Sequence, residues 1–199
     1  MRTSSSNPDS RGDNSPLLQQ RLCMSKILVI YSTTDGHTQH ICERLQQVMD
    51  QRGHTTTVAP LAQADALDLS IYDKFVIGAS IRYGKHQPGV AQFIKQHQSL
   101  LEGKPNAFFS VNIVARKPEK NQPQTNPYLI KFLRQISWKP KLLGVFAGRL
   151  DYPSYAFFDR FMIRLIMRMT NGPTDPHAVI EFTDWKQVEA FGQSVSDLP

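Results

Sequence analysis

The hydroxyl-rich stretch Ser32-Thr33-Thr34-Asp35-Gly36-His37-Thr38 is where chemistry first becomes readable in this chain. Hydroxyls at 32, 33, 34 and 38 can bond an anion, and Gly36 lets the backbone approach it closely. The apolar run 26–31 (KILVIY) comes just before, and an amphipathic segment follows at once. A strand that turns directly into a helix leaves the first helical N–H groups without partners, and the helix dipole adds positive potential there. Together these make a phosphate cradle at the carboxyl edge of a sheet. An ordinary helix N-terminus capped by Asp35 or Thr38 is the plainer reading of the same residues. The spacing matches neither G-x-x-x-x-G-K-[ST] nor G-x-G-x-x-G, so this is no nucleotide P-loop or dinucleotide fingerprint.

The elements that must position this loop follow from apolar periodicity. Apolar runs mark strands at 26–31, 75–80, 107–111 and 142–147, the threonine-rich 55–59 reads as a short further strand, and helical spacing marks helices at 38–52, 90–101, 155–169 and 184–195. Strands alternating with helices imply a doubly wound, five-stranded parallel sheet with helices on both faces. The chain has 199 residues, 40% of them hydrophobic, with a mean hydropathy of −0.36, which suits one soluble α/β domain over 25–199. Residues 1–24 are poor in apolar side chains and are expected to be a disordered extension. Met24, just before the first strand, reads as an alternative start. Two cysteines are too few for a disulfide framework and fit a reducing compartment. No CxxC or His/Cys cluster points to a metal, and no apolar run is long enough for a single membrane-crossing helix.

The net charge of +6 is concentrated. Residues 112–141, roughly double what a simple crossover needs, hold Arg116, Lys117, Lys120, Lys131, Arg134, Lys139 and Lys141 against Glu119 alone. A solvated loop is the plain reading of such a run, whereas long ordered loops at a sheet-end crevice are often functional. Arg160, Arg164 and Arg168 form a second cationic stripe, on a helix that is apolar nearly all round. That combination fits contact with anionic lipid, or a more buried helix whose arginines are its wet face.

The stretch Val29-Ile30-Tyr31-Ser32-Thr33-Thr34-Asp35-Gly36-His37-Thr38 resembles the FMN-phosphate loop of flavodoxins, aromatic-x-[ST]-x-x-G-x-T. Asp35 stands where that family often has a hydroxyl, and Cys42 where it has a small alanine, which favours Cys42 as a buried small hydrophobe over a redox thiol. The resemblance implies the flavodoxin-like strand order, with FMN bound by residues 32–38 and by Ser80, Ile81, Arg82, Tyr83, Gly84 and Asn112. Tyr83 would stack on the flavin ring or else cover the sheet end.

Beyond the superfamily, Ile77-Gly78-Ala79-Ser80-Ile81-Arg82-Tyr83-Gly84, Ser110-Val111-Asn112, Val114-Ala115-Arg116-Lys117-Pro118-Glu119-Lys120, Pro123-Gln124-Thr125-Asn126, and Tyr155 through Asp159-Arg160-Phe161-Met162-Ile163 with Thr183-Asp184-Trp185 resemble the menaquinone-dependent protoporphyrinogen IX oxidases of gamma-proteobacteria. That family implies oxidation of protoporphyrinogen IX to protoporphyrin IX in haem synthesis, with menaquinone or ubiquinone as acceptor. It also implies peripheral attachment to the cytoplasmic side of the inner membrane. Hydride transfer would fall to the flavin N5, and no side chain stands out as a general base. Arg116, Lys117, Lys120, Arg160, Arg164 and Arg168 are expected to meet porphyrinogen, quinone or lipid. Nucleic acid is not expected as a partner, and the oligomeric state is left open. A flavodoxin-type electron carrier and an NAD(P)H:quinone reductase are the alternatives. Carriers of that kind are typically acidic, whereas this chain has a pI near 9.4.

Overall fold

The apolar runs become strands because a parallel sheet buries both faces, which selects unbroken β-branched and aromatic stretches over alternating ones. The computed structural model describes residues 24–155, 157–169 and 172–199, so the leader over 1–23, including Cys23, lies outside the described residues. Its strands are β1 (Lys26–Ser32), β2 (Thr55–Pro60), β3 (Lys74–Arg82), β4 (Lys85–His86), β5 (Asn106–Val111), β6 (Leu142–Phe146), β7 (Arg149–Asp151) and β8 (Val179–Glu181). The main sheet runs β2-β1-β3-β5-β6, all parallel, with β4 folded back antiparallel on the end of β3. The chain leaves β1 towards β2 and returns to β3 on the other side of β1. That reversal opens a crevice at the carboxyl ends of β1 and β3.

The helices are α1 (His37–Gln51), α2 (Pro88–Gln96), α3 (Gln98–Glu102), α4 (Pro127–Leu133), α5 (Phe157–Met169) and α6 (Trp185–Ser196). Ile41, Leu45 and Met49 of α1 join Val188, Phe191 and Val195 of α6 on one face of the sheet. Phe93 and Ile94 of α2, with Leu101, Leu129, Phe132 and Trp138, cover the other. Cys42 is fully buried in the first of these layers, and burial pushes its thiol pKa up, so it packs as a small hydrophobe.

Several boundaries differ from the expectation for physical reasons. Gly36 is the N-cap of α1 and provides no side-chain cap, so neither Asp35 nor Thr38 caps it. The helix expected over 90–101 divides at His97, whose φ of −108° leaves the helical range and whose ring packs on Phe93 at 4.5 Å. The helix expected from 155 begins at Phe157, after a 3₁₀ turn at Tyr152–Ser154 that contains Pro153. The insertion over 112–141 follows β5 and is ordered by 3₁₀ turns at Ile113–Arg116 and Pro118–Lys120 and by α4. The β7–β8 pair was not anticipated. Helix α5 does not lie on the sheet. It packs with Leu150, Tyr152 and Tyr155 in a separate cluster, through Ile163 and Met167.

Candidate active site

The loop from β1 into α1 is built to receive an anion. Gly36 adopts φ +79°, a conformation that favours glycine, and its carbonyl accepts the N–H groups of Gln39 and His40. Among the described residues, no acceptor meets the backbone N–H groups of Thr34, Asp35, Gly36, His37 or Thr38. The Thr38 hydroxyl is buried and also without a partner. An unmet buried hydroxyl costs about 1–3 kcal/mol, which a ligand accepting its hydrogen would recover. Asp35 would repel such a ligand, but both of its oxygens are engaged by Arg82 Nη1, at 3.0 and 2.9 Å.

Gln87, which nothing in the sequence marked, ties this loop to α2. Its amide oxygen accepts from Ser32 Oγ at 2.8 Å, and its nitrogen donates to the Thr33 carbonyl at 3.3 Å. His37 is fixed from the other side. The Thr183 hydroxyl spends its one hydrogen on the Ala147 carbonyl at 2.9 Å, so His37 Nε2 must donate to Thr183 Oγ1 across 2.6 Å. Burial lowers the His37 pKa, with Glu181 partly opposing, which keeps the ring neutral.

Beyond the loop lies a cavity of about 440 Å³. Its walls are the β1–α1 loop, the Ser80–Gly84 turn, the end of β5 through Val114, Gly148–Leu150, and Met162, Ile163 and Ile166 of α5. Tyr83, at φ +50° and 55% exposed, turns its ring to this space, and its hydroxyl donates to Asp159. Gly84 follows at φ +75°, where a side chain would be strained.

A buried polar chain links the cavity to the insertion. Asn112 Nδ2 donates to Ser110 Oγ at 3.3 Å, and Ser110 Oγ faces His86 Nε2 at 3.4 Å. His86 Nδ1 meets the Ser80 carbonyl at 3.2 Å, which sets the Nδ1–H tautomer. Asn126 donates to Asn112 at 3.1 Å and to the Lys120 carbonyl at 2.8 Å while capping α4. His86 sits beside Phe108 and Phe132, and burial lowers its pKa from 6.5 to about 4, against the opposing effect of the Ser80 bond. The unfolded chain therefore binds this proton more readily than the folded one. Stability holds above pH 6.5 and falls as the pH drops towards 4, by about 3 kcal/mol at full protonation. A pH series of denaturant melts should show that slope reduced in His86→Phe, with the shares of His37 and of His54, just before β2, remaining, since burial lowers the pKa of both.

The expected site residues divide clearly. Thr33, Asp35, His37, Thr38, Ser80, Ile81, Arg82, Tyr83, Gly84 and Asn112 all line the cavity. Ser32, Thr34 and Gly36 shape the loop without lining it. Arg116, Lys117, Lys120, Arg160, Arg164 and Arg168 do not line it. Arg116 Nη1 donates to the Ile113 carbonyl, and Arg160 donates to the Pro153 and Tyr155 carbonyls. Arg164 and Arg168 are exposed, and the side chains of Phe158 and Met169 lie outside those described. Sequence reasoning missed Tyr128, Arg149, Tyr155 and the α5 residues on the wall, which reach the cavity only through tertiary folding.

A family model described as flavodoxin domain matches residues 28–177. Protoporphyrinogen IX dehydrogenase (quinone) of Escherichia coli K12 is 44% identical over 87% of this chain and 96% of its own length. The protein of that name from Leishmania major is 46% identical over 87% of this chain and 76% of its own. The chain belongs to the flavodoxin-domain protoporphyrinogen IX dehydrogenase (quinone) family. Oxidised flavodoxin 1 from Bacillus cereus superposes with a TM-score of 0.50 at 18% identity, over 86% of this chain and 97% of that one, a likeness of fold alone. In this dehydrogenase family member the matched stretch takes in both cavity loops, the insertion and α5. Helix α6 lies past the matched stretch yet completes the layer over α1.

Proposed function

We propose that this protein oxidises protoporphyrinogen IX to protoporphyrin IX, with FMN as its cofactor and a quinone as electron acceptor. The observation that carries this reading is the 44–46% identity, across 87% of the chain, to proteins named for that reaction. The site supports it independently. The orphaned Thr38 hydroxyl and the open N–H groups of 34–38 fit a phosphate at the β1–β3 reversal, where this fold class binds FMN. The hydroxyls of Thr33 and Thr38 and the free amides would hold the phosphate, with Tyr83, Ser80 and Asn112 at the ring.

When bound, FMN supplies two-electron redox chemistry, so the six-electron aromatisation of one porphyrinogen takes three rounds. The chain's own groups do the rest. Arg82 holds Asp35 away from the phosphate. Val114, Met162, Ile163 and Ile166 give the cavity an apolar wall, and His37 anchors the first turn of α1 to Thr183.

Under nitrogen, FMN-loaded protein with porphyrinogen and menaquinone should show porphyrin fluorescence rising with turnover, and NADPH should not replace the porphyrinogen as donor. A flat signal with porphyrinogen, beside brisk NADPH-driven quinone reduction, would reject the proposal in favour of a quinone reductase.

The reading extends to an inner-membrane surface and its menaquinone or ubiquinone, approached from the cytoplasmic side. No helix among the described residues is long and apolar enough to cross a membrane. Phe157, Phe161 and Leu165 instead stand exposed at four-residue spacing on α5, beside exposed Arg164 and Arg168. An apolar stripe edged by arginines suits shallow insertion among anionic headgroups. In flotation with phosphatidylglycerol vesicles, wild type should rise with the lipid and Phe161→Glu with Arg164→Glu should stay behind; equal flotation would remove this part of the reading.

A further inference from the structure

Arg82 stands between two carboxylates at the cavity. Its Nη1 serves Asp35, and its Nη2 serves Asp159, which also accepts from the Tyr83 hydroxyl. One guanidinium between two carboxylates leaves a surplus negative charge at the place where an anionic substrate would enter. The two acids differ in how they are held. Asp35 belongs to the tight turn into α1. Asp159 rides on the first turn of α5, which packs on a small cluster away from the sheet. The two nitrogens are distinct, so Asp159 can leave Nη2 while the Asp35 pair stays whole.

Resting on the function proposed above, the substrate carries two propionates, and a carboxylate entering an apolar cavity needs a cation and hydrogen-bond donors. Among the described residues lining the cavity, only Arg82 and Arg149 are permanently cationic, and the arginine and lysines of the 116–120 turn do not reach it. We infer that Arg82 Nη2 and the Tyr83 hydroxyl form the substrate-propionate site, and that Asp159 is an internal carboxylate which the propionate displaces. Arg82 is then a specificity-determining residue for a tetrapyrrole diacid, and Asp159 a built-in competitor that weakens its binding.

The test is a fluorescence titration of FMN-loaded protein with protoporphyrin IX and, separately, with its dimethyl ester. Asp159→Asn should tighten the diacid by about 5-fold and leave the ester within about 2-fold, since a partly buried competing charge is removed. Arg82→Gln, which also frees Asp35 beside the phosphate and is therefore titrated with FMN in excess, should weaken the diacid by about 10-fold or more, with Arg82→Lys intermediate and the ester shifted by no more than about 2-fold. The flavin spectrum of each variant reports retained folding, and the Asp159→Asn arm leaves the Asp35 pair untouched. Parallel shifts for acid and ester, or a weaker diacid in Asp159→Asn, overturn the exchange. If wild type turns over porphyrinogen but does not tell acid from ester, the exchange fails alone. If it neither binds nor oxidises the tetrapyrrole, the functional reading falls with it.

Discussion

Thr38→Val should weaken FMN binding by about 10- to 100-fold while leaving the flavin-free protein as stable as wild type, or more stable by about 1 kcal/mol. The two effects come from one observation. The Thr38 hydroxyl is buried without a partner, so removing it costs the flavin-free fold nothing in hydrogen bonding and relieves a desolvation penalty. A phosphate accepting from that hydroxyl forms a charge-assisted bond, the stronger class. Flavin-fluorescence titration gives the affinity and denaturant melts give the stability. Riboflavin, which lacks the phosphate, should bind both forms alike. Unchanged FMN affinity in Thr38→Val would remove the phosphate from this loop.

Gly78→Ala should destabilise the protein by about 3 kcal/mol, lowering its melting temperature by roughly 10 °C. Gly78 lies mid-strand in β3, between Tyr31 on β1 and Phe109 on β5. A Cβ added there would sit 2.1 Å from Cζ of Phe109, a fully buried ring. The ring is packed against Phe146 and Phe191 at 5.3 and 5.9 Å, so it cannot swing clear cheaply. Phe109→Leu should cost stability alone, yet the double variant should be more stable than the sum of the two losses implies. Strict additivity would show that the clash is not what glycine avoids.

Much of this was legible before the fold was seen, and the reasons are local. The runs KILVIY and FVIGAS declared buried strands because a parallel sheet tolerates no polar alternation. Thr38 and Gly36 could be placed because a helix start after a strand dictates where free N–H groups lie. The 112–141 insertion was visible as excess length between two apolar runs.

What stayed hidden depends on contacts distant in sequence. Asp159 and Arg82 are 77 residues apart, and nothing in either neighbourhood announces their pairing. Strands β7 and β8 have three residues each, too short for periodicity, and join across the chain. Gln87 acts only because β4 turns the chain back along the end of β3, which brings its amide against Ser32 of β1. The basic residues illustrate the converse. Their clustering on the insertion was plain in the sequence, but composition carries no direction, and the cavity is lined by Arg82 and Arg149 instead.

The most direct test of the whole account is the electron balance of the reaction under nitrogen. FMN-loaded protein given protoporphyrinogen IX and excess menaquinone should yield three menaquinols for each protoporphyrin IX formed, with no product when FMN is stripped. Quinol formed without porphyrin, or porphyrin formed equally well without FMN, would contradict it.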